Sequence, residues 1–205
     1  MTTPIRSIVA KLLGRFKENT AGVAAIEFAY ILPLMILMSL GVFEVSRAVM
    51  MHKRFQRASA MVGDLVAREQ QMGTSVSTAN AEMAGIMKAA EHVMNPYDTA
   101  TLKMGVTSIR AATNNANNTT VEWSYPYHAY PVTACASVKA MPASGMITAG
   151  NAAIVVESEY MYKPFLNNLI PGFKTQFLWQ DTITHAPRNA SVVYGCEQSC
   201  GGGCP

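Results

Sequence analysis

The chain has 205 residues, 50% of them hydrophobic and 14% charged, and 16 Lys+Arg against 13 Asp+Glu give a formal net charge of +3. This excludes a disordered polyelectrolyte, while 14 Gly and 10 Pro are too few for a collagenous or low-complexity chain. The basic residues cluster only around one apolar run, so nucleic acid is not expected as a partner.

Residues 1–22 form a leader carrying Arg6, Lys11, Arg15 and Lys17. Residues 23–42, VAAIEFAYILPLMILMSLGV, then hold Glu27 as their sole charge. As a helix this run covers about 30 Å, the thickness of a hydrocarbon core, and predicts a membrane span over residues 23–43. It exceeds the roughly 7–15 apolar residues of a secretory signal peptide. No small-residue cleavage site follows Ser39-Leu40-Gly41 either, so the segment is expected to stay in the protein. Pro33 is expected to bend the helix.

Four Lys/Arg flank the run on each side, so charge gives no orientation and the cysteines decide it. Cys135, Cys196, Cys200 and Cys204 are an even set suited to an oxidising compartment. Two disulfides are expected, one tying Cys135 to the tail and one within the tail, with three connectivities open. The C-x3-C-x3-C tail lacks C-x2-C pairs and neighbouring His, so no metal is expected.

Beyond the span a helical period continues through Ala48, Met51, Phe55, Ala58, Val62 and Leu65, ending near Gly73. Arg47, Lys53, Arg54, Arg57, Asp64 and Arg68 occupy the opposite face. A second amphipathic helix is predicted over residues 78–94, with Met83, Met87, Ala90 and Met94 on one face and Asn95-Pro96 as its stop. Methionines at this spacing read as core filler.

Alternation then predicts strands. Leu102, Met104 and Val106 pair as a hairpin with Val121, Trp123 and Tyr125 across an exposed Asn/Thr-rich loop, residues 111–119. Residues 152–162 form a third strand, with Ile154, Val156, Tyr160 and Tyr162 facing one way and Glu157 and Glu159 the other. Residues 177–185 make a fourth and 191–194 a short fifth. The expected fold is α+β: a long N-terminal transmembrane and amphipathic helix, and a second helix, on an antiparallel sheet of four to five strands. Its parts are a leader (1–22), a span (23–43), a helical part outside the cytoplasm (44–96), a β domain (97–194) and a Cys/Gly-rich tail (195–205).

This plan is pilin-like, and Gly22-Val23-Ala24-Ala25-Ile26-Glu27-Phe28 resembles a prepilin-peptidase site. There is Gly before the scissile bond, an apolar helix after it, Glu fifth in the mature chain, and an aromatic beside it. The string RFKENTAGVAAIEFAYILPLMILMSLGVFEVSRAVM, residues 15–50, resembles the TadE-like minor pilins or pseudopilins of the tight-adherence (Tad/Flp) pilus system. The resemblance implies cleavage after Gly22, Val23 as mature N-terminus, and Glu27 and Phe28 as family positions. It further implies the inner membrane, prepilin peptidase, other pilins and the Tad assembly platform as partners, with the C-terminal domain periplasmic and a surface pilus as a further destination.

A spanning carboxylate costs on the order of 2–3 kcal/mol near the bilayer centre and less near the end. Glu27 therefore calls for a partner, and the Val23 ammonium created by cleavage lies one helical turn away. His52, His92, His128 and His185 are scattered and no catalytic motif occurs, so neither an enzyme nor a cofactor is expected. The aromatic run from Tyr125 to Pro131 is read as structural. Two other classes stay open: an uncleaved signal-anchored binding module, and a membrane-anchored metal or redox protein acting through the tail cysteines.

Overall fold

The computed structural model describes residues 21–140, 145–169, 172, 175–189 and 191–194. The rest of the expected leader and Cys196, Cys200 and Cys204 lie outside these residues. The chain divides into two units, residues 1–46 and 47–205.

Helix α1, Ala21–Arg68, is unbroken through Pro33. Apart from Glu27 and Glu44 its residues in the first unit are mainly apolar on every side and almost all exposed, and this helix is long and apolar enough to cross a membrane. In the second unit its pattern becomes one-sided. Met51, Phe55, Ala58, Val62 and Val66 are buried, while Lys53, Gln56, Arg57 and Arg68 are exposed. Leu65, expected on the buried stripe, is only half-buried, and Val66 takes its place. Asp64 and Arg68 form the expected ion pair.

Two residues, Gln71–Met72, form β1, and α2 follows as Val76–Met94. Ser75 caps α2: its hydroxyl accepts from the Thr78 amide at 3.3 Å, and the Ser75 amide donates to Thr78 Oγ1 at 2.9 Å. The expected Met83, Met87, Ala90 and Met94 are all buried, joined by Ala79.

The main sheet contains β2 (Lys103–Ala112), β3 (Asn115–Tyr127), β4 (Ala152–Tyr162) and β5 (Phe177–His185). Its spatial order is β3-β2-β4-β5, with every neighbouring pair antiparallel. A one-turn helix α3, Leu166–Leu169, lies between β4 and β5. β6, Val193–Tyr194, pairs in parallel with β1 in a separate two-stranded sheet, so the expected fifth strand does not extend the main one.

The predicted loop over residues 111–119 is a correction. The strands continue to an Ala112↔Asn115 pair, leaving Thr113 and Asn114 as the connection, while residues 116–118 have no cross-strand partner between that pair and Ala111↔Thr119. Cross-strand pairing outweighs the loop-like composition here. A second correction concerns Val121, expected to face the same way as Trp123. The register shifts between Ser108 and Ile109, so Ser108 pairs with Trp123 but Ile109 with Val121, and Glu122 becomes the extra residue of a bulge. Trp123 then joins the core that includes Phe55, Met87, Val106, Ile154 and Tyr160. Val121 joins Ile109, Ala111, Ile147, Ala153 and Val155 in a second cluster. Glu122 is 7% exposed and is held by the Ser108 hydroxyl at 2.9 Å and Arg110 Nε at 2.5 Å.

α1 runs along β5 in the same direction. His52 meets Trp179 edge-on at 5.1 Å, and Ala67 O accepts from the Arg188 amide at 3.0 Å. Small residues allow the close approach. A Cβ on Gly63 would come 2.3 Å from His185 Cδ2, and Ser59 Oγ reaches Ser158 Oγ at 2.7 Å. Replacing Val62, which is 0% exposed, with Asp puts a carboxylate into this packing and should cost about 3–5 kcal/mol. Denaturant unfolding of the full chain in detergent measures that loss, and an unchanged midpoint would contradict the packing.

Candidate functional site

Gly22, Val23, Glu27 and Phe28 lie in the first described turns of α1. A Cβ at Gly22 would meet nothing within 4 Å, and Val23 and Phe28 are each 56% exposed. Glu27 is exposed too, so no described part of the chain covers the junction. The Gly22–Val23 bond is in helical backbone, whereas a protease takes its substrate extended. Glycine favours the helix by about 1 kcal/mol less than alanine, which lowers the cost of unwinding at that position. Val23 and Glu27 stand four residues apart, on one face. While the bond is intact the Val23 nitrogen is a neutral amide; cutting makes it an ammonium within reach of the Glu27 carboxylate.

The other candidates belong to the second unit. Cys135 is disulfide-bonded, and its partner lies outside the described residues. Its Sγ is 2.9 Å from the Glu122 carbonyl oxygen. The Ala136 amide donates to Val121 O at 3.0 Å and the Lys139 amide to Thr119 O at 3.2 Å. The segment around Cys135 thereby covers the outer edge of β3. Lys139 Nζ also reaches Glu157 at 2.5 Å.

The aromatic run is engaged within the chain. Tyr127 donates to Glu91 Oε1 at 3.0 Å and stacks on His128 at 4.0 Å, and His128 Nδ1 is 2.8 Å from Leu102 O. Positive φ at His128 (49°) and Ala129 (55°) turns the chain back, closed by the Tyr130 amide on Tyr127 O at 3.2 Å. Tyr130 then lies against Gly105, where a Cβ would meet its ring at 2.5 Å. The histidines remain apart: His52 sits on Trp179, and His185 is behind Gly63 with Nε2 buried and unpartnered. Among the described residues no three or more His, Cys, Asp or Glu are grouped to hold a metal.

These features define an α+β protein with one N-terminal helix suited to a single-pass membrane anchor. Residues 22–64 match the family model described as TadE-like protein. No curated protein and no solved structure matches the chain. The matched segment opens on Gly22, takes in Glu27-Phe28 and the apolar run, and ends within the buried stripe of α1. That likeness associates the chain with a membrane and with the Tad pilus system.

The turn carrying Tyr127 and Tyr130 makes the second unit sensitive to alkali. Burial first, then the hydrogen bond to Glu91 and its charge, push the Tyr127 phenol from 10.0 up to about 12. Burial and the charges of Glu157 and Glu159 push Tyr130 up to about 12 as well. Between pH 10 and pH 12 the unfolded chain releases phenolic protons that the folded chain retains. The stabilisation is complete below pH 10 and is lost as pH rises through 12. Tyr127→Phe should make the decline over that interval shallower, as read from denaturant midpoints against pH.

Proposed function

We propose that the chain is a minor pilin or pseudopilin of the Tad pilus system, cut between Gly22 and Val23 by a prepilin-type membrane aspartic peptidase. In this reading the mature protein stays in the inner membrane through residues 23–43, with its disulfide-bearing domain in the periplasm. There it joins other pilins and the assembly platform in building an adhesive surface pilus. Its work is structural, requiring neither catalysis nor a cofactor. The observation that carries this reading is the TadE-like match over residues 22–64, which takes in Gly22, Glu27-Phe28 and the exposed apolar run of α1.

The residue before the bond has to pass close to the peptidase carboxylates in extended form, and a branched side chain obstructs that passage. Glu27 acts afterwards, when its carboxylate pairs with the new ammonium of the same or a neighbouring subunit. Mass spectrometry of the protein from cells with and without the peptidase should find residues 23–205, beginning Val-Ala-Ala-Ile-Glu-Phe, only where the peptidase is present. Gly22→Val should abolish that species, while Glu27→Ala should leave it and impair pilus formation. An uncut chain in both strains would favour the signal-anchored module.

A further inference from the structure

We propose that one end of the second unit is a lipid-interface collar, in which Phe165, Phe177 and Leu178 insert into the bilayer surface beside the point where α1 emerges. This rests on the membrane-spanning reading of residues 23–42.

The position of this end follows from covalent reach. Arg47 is five residues past Val42, the last residue of the apolar run, and five residues extend to at most about 18 Å, and to about 8 Å as helix. The Arg47 guanidinium lies 6.0 Å from the centre of the Phe165 ring. Tyr162, three residues earlier, stacks with Phe177 at 6.5 Å. The end of β4 and the start of β5 are thus within covalent reach of the bilayer surface.

Large apolar groups are exposed at that end. Phe165 is 42% exposed, Phe177 50% and Leu178 51%, and on α1 Val49 is 48% and Met50 56% exposed. Because β5 alternates, Phe177 and Leu178 point to opposite faces of the sheet. Val49 and Met50 lie on the side of α1 away from its buried Met51 and Phe55, so the apolar groups surround the end instead of forming one patch. Cations accompany them: Arg47 beside Phe165, and the exposed Lys163 two residues before it.

Among the described residues the opposite end exposes no phenylalanine or leucine, although Met146 is exposed there. Arg110↔Ala152 and Ile154↔His185 place the β2–β3 connection at the far end of the strands, and there Thr113, Asn114 and Asn115 are exposed. Phenylalanine and leucine next to Lys and Arg at one end, and Asn and Thr at the other, match a body resting on phospholipid headgroups with its far end in water. The apolar side chains fill the upper acyl region, and the cations meet lipid phosphates. A protein partner would have to reach the same residues within the headgroup layer.

The full chain in nanodiscs of phosphatidylethanolamine and phosphatidylglycerol tests this by photo-crosslinking. A benzophenone amino acid replaces Phe177, or Phe165 in a second variant should the first not fold; Leu37 in the span and Thr113 at the far end serve as references. The expected result is phospholipid adducts at Phe177 and Phe165 as at Leu37, and none at Thr113. Adducts at Leu37 with the collar positions as silent as Thr113, or collar adducts to protein, overturn the collar while leaving the span intact. Silence at Leu37 overturns the span and the collar with it.

Discussion

A chain that enters hydrocarbon must pair its own backbone amides and carbonyls, because the bilayer core provides no water to do so, and this dictates the one element on which the second unit is built. α1 meets the requirement by remaining helical from Ala21 to Arg68. Its hydrogen bonding is indifferent to the change of surroundings, so only the side chains need to change. Before Arg47 they are mainly apolar on all sides, with Glu27 and Glu44 as the charges. After it the apolar set narrows to Met51, Phe55, Ala58, Val62 and Val66, a stripe that cannot be left in water and recruits α2 and one face of the sheet. Ala58, Ser59 and Gly63 keep the stripe low enough for β4 and β5 to come close.

A sheet packed on helices has a second face to cover, and the bulge at Glu122 apportions residues between the two. By adding one residue to β3 it directs Trp123 toward the helices, where its Nε1 donates to Val192 O at 2.8 Å, and Val121 toward the outer cluster. The extra residue is acidic and nearly buried, a costly combination without the Arg110 and Ser108 partners it has. The chain after the His128-Ala129 turn then covers this face and protects the β3 edge, which would otherwise be open to pairing with other chains. The disulfide at Cys135 fastens that covering segment.

What could be read in the sequence was whatever repeats or is punctuated locally. α2 declares itself through Met83, Met87, Ala90 and Met94 and stops before Pro96, and β4 and β5 have the bounds their alternation indicates. The continuation of β3 to Asn115 was concealed because asparagine and threonine are loop formers by composition, and their pairing with Ala112 depends on a partner strand. The bulge was concealed for a related reason: Val121, Trp123 and Tyr125 alternate without a gap, and only the opposing register shows the slip. Of the β1–β6 pair, a strand within residues 191–194 is expected, but its two-residue partner β1 has no periodicity to detect. The segment around Gly22 and Glu27 is of another kind, because the family likeness lies in contiguous residues and can be compared without the fold. The apolar end formed by Phe165 and Phe177 needs the fold, since these residues come together only once β4 and β5 are paired beside Arg47.

Under the proposed processing, cutting after Gly22 changes the electrostatics of the helix more than its length. The leader carries Arg6, Lys11, Arg15 and Lys17, a concentration of charge that resists transfer into hydrocarbon and holds the helix end at the anionic membrane face. Glu27 meanwhile has no cation within a turn on its N-terminal side, so in the uncut chain its carboxylate is stable only at headgroup depth. Hydrolysis removes the four cations and creates one ammonium at Val23, opposite in sign to Glu27 and one turn from it. The helix end passes from strongly cationic to nearly neutral. A neutral, internally paired end can leave the membrane face for an apolar packing site among other helices at a far smaller desolvation cost than the leader would impose. Processing and assembly are then coupled by charge: the same bond cleavage that releases the helix from the membrane surface supplies the partner its buried carboxylate needs.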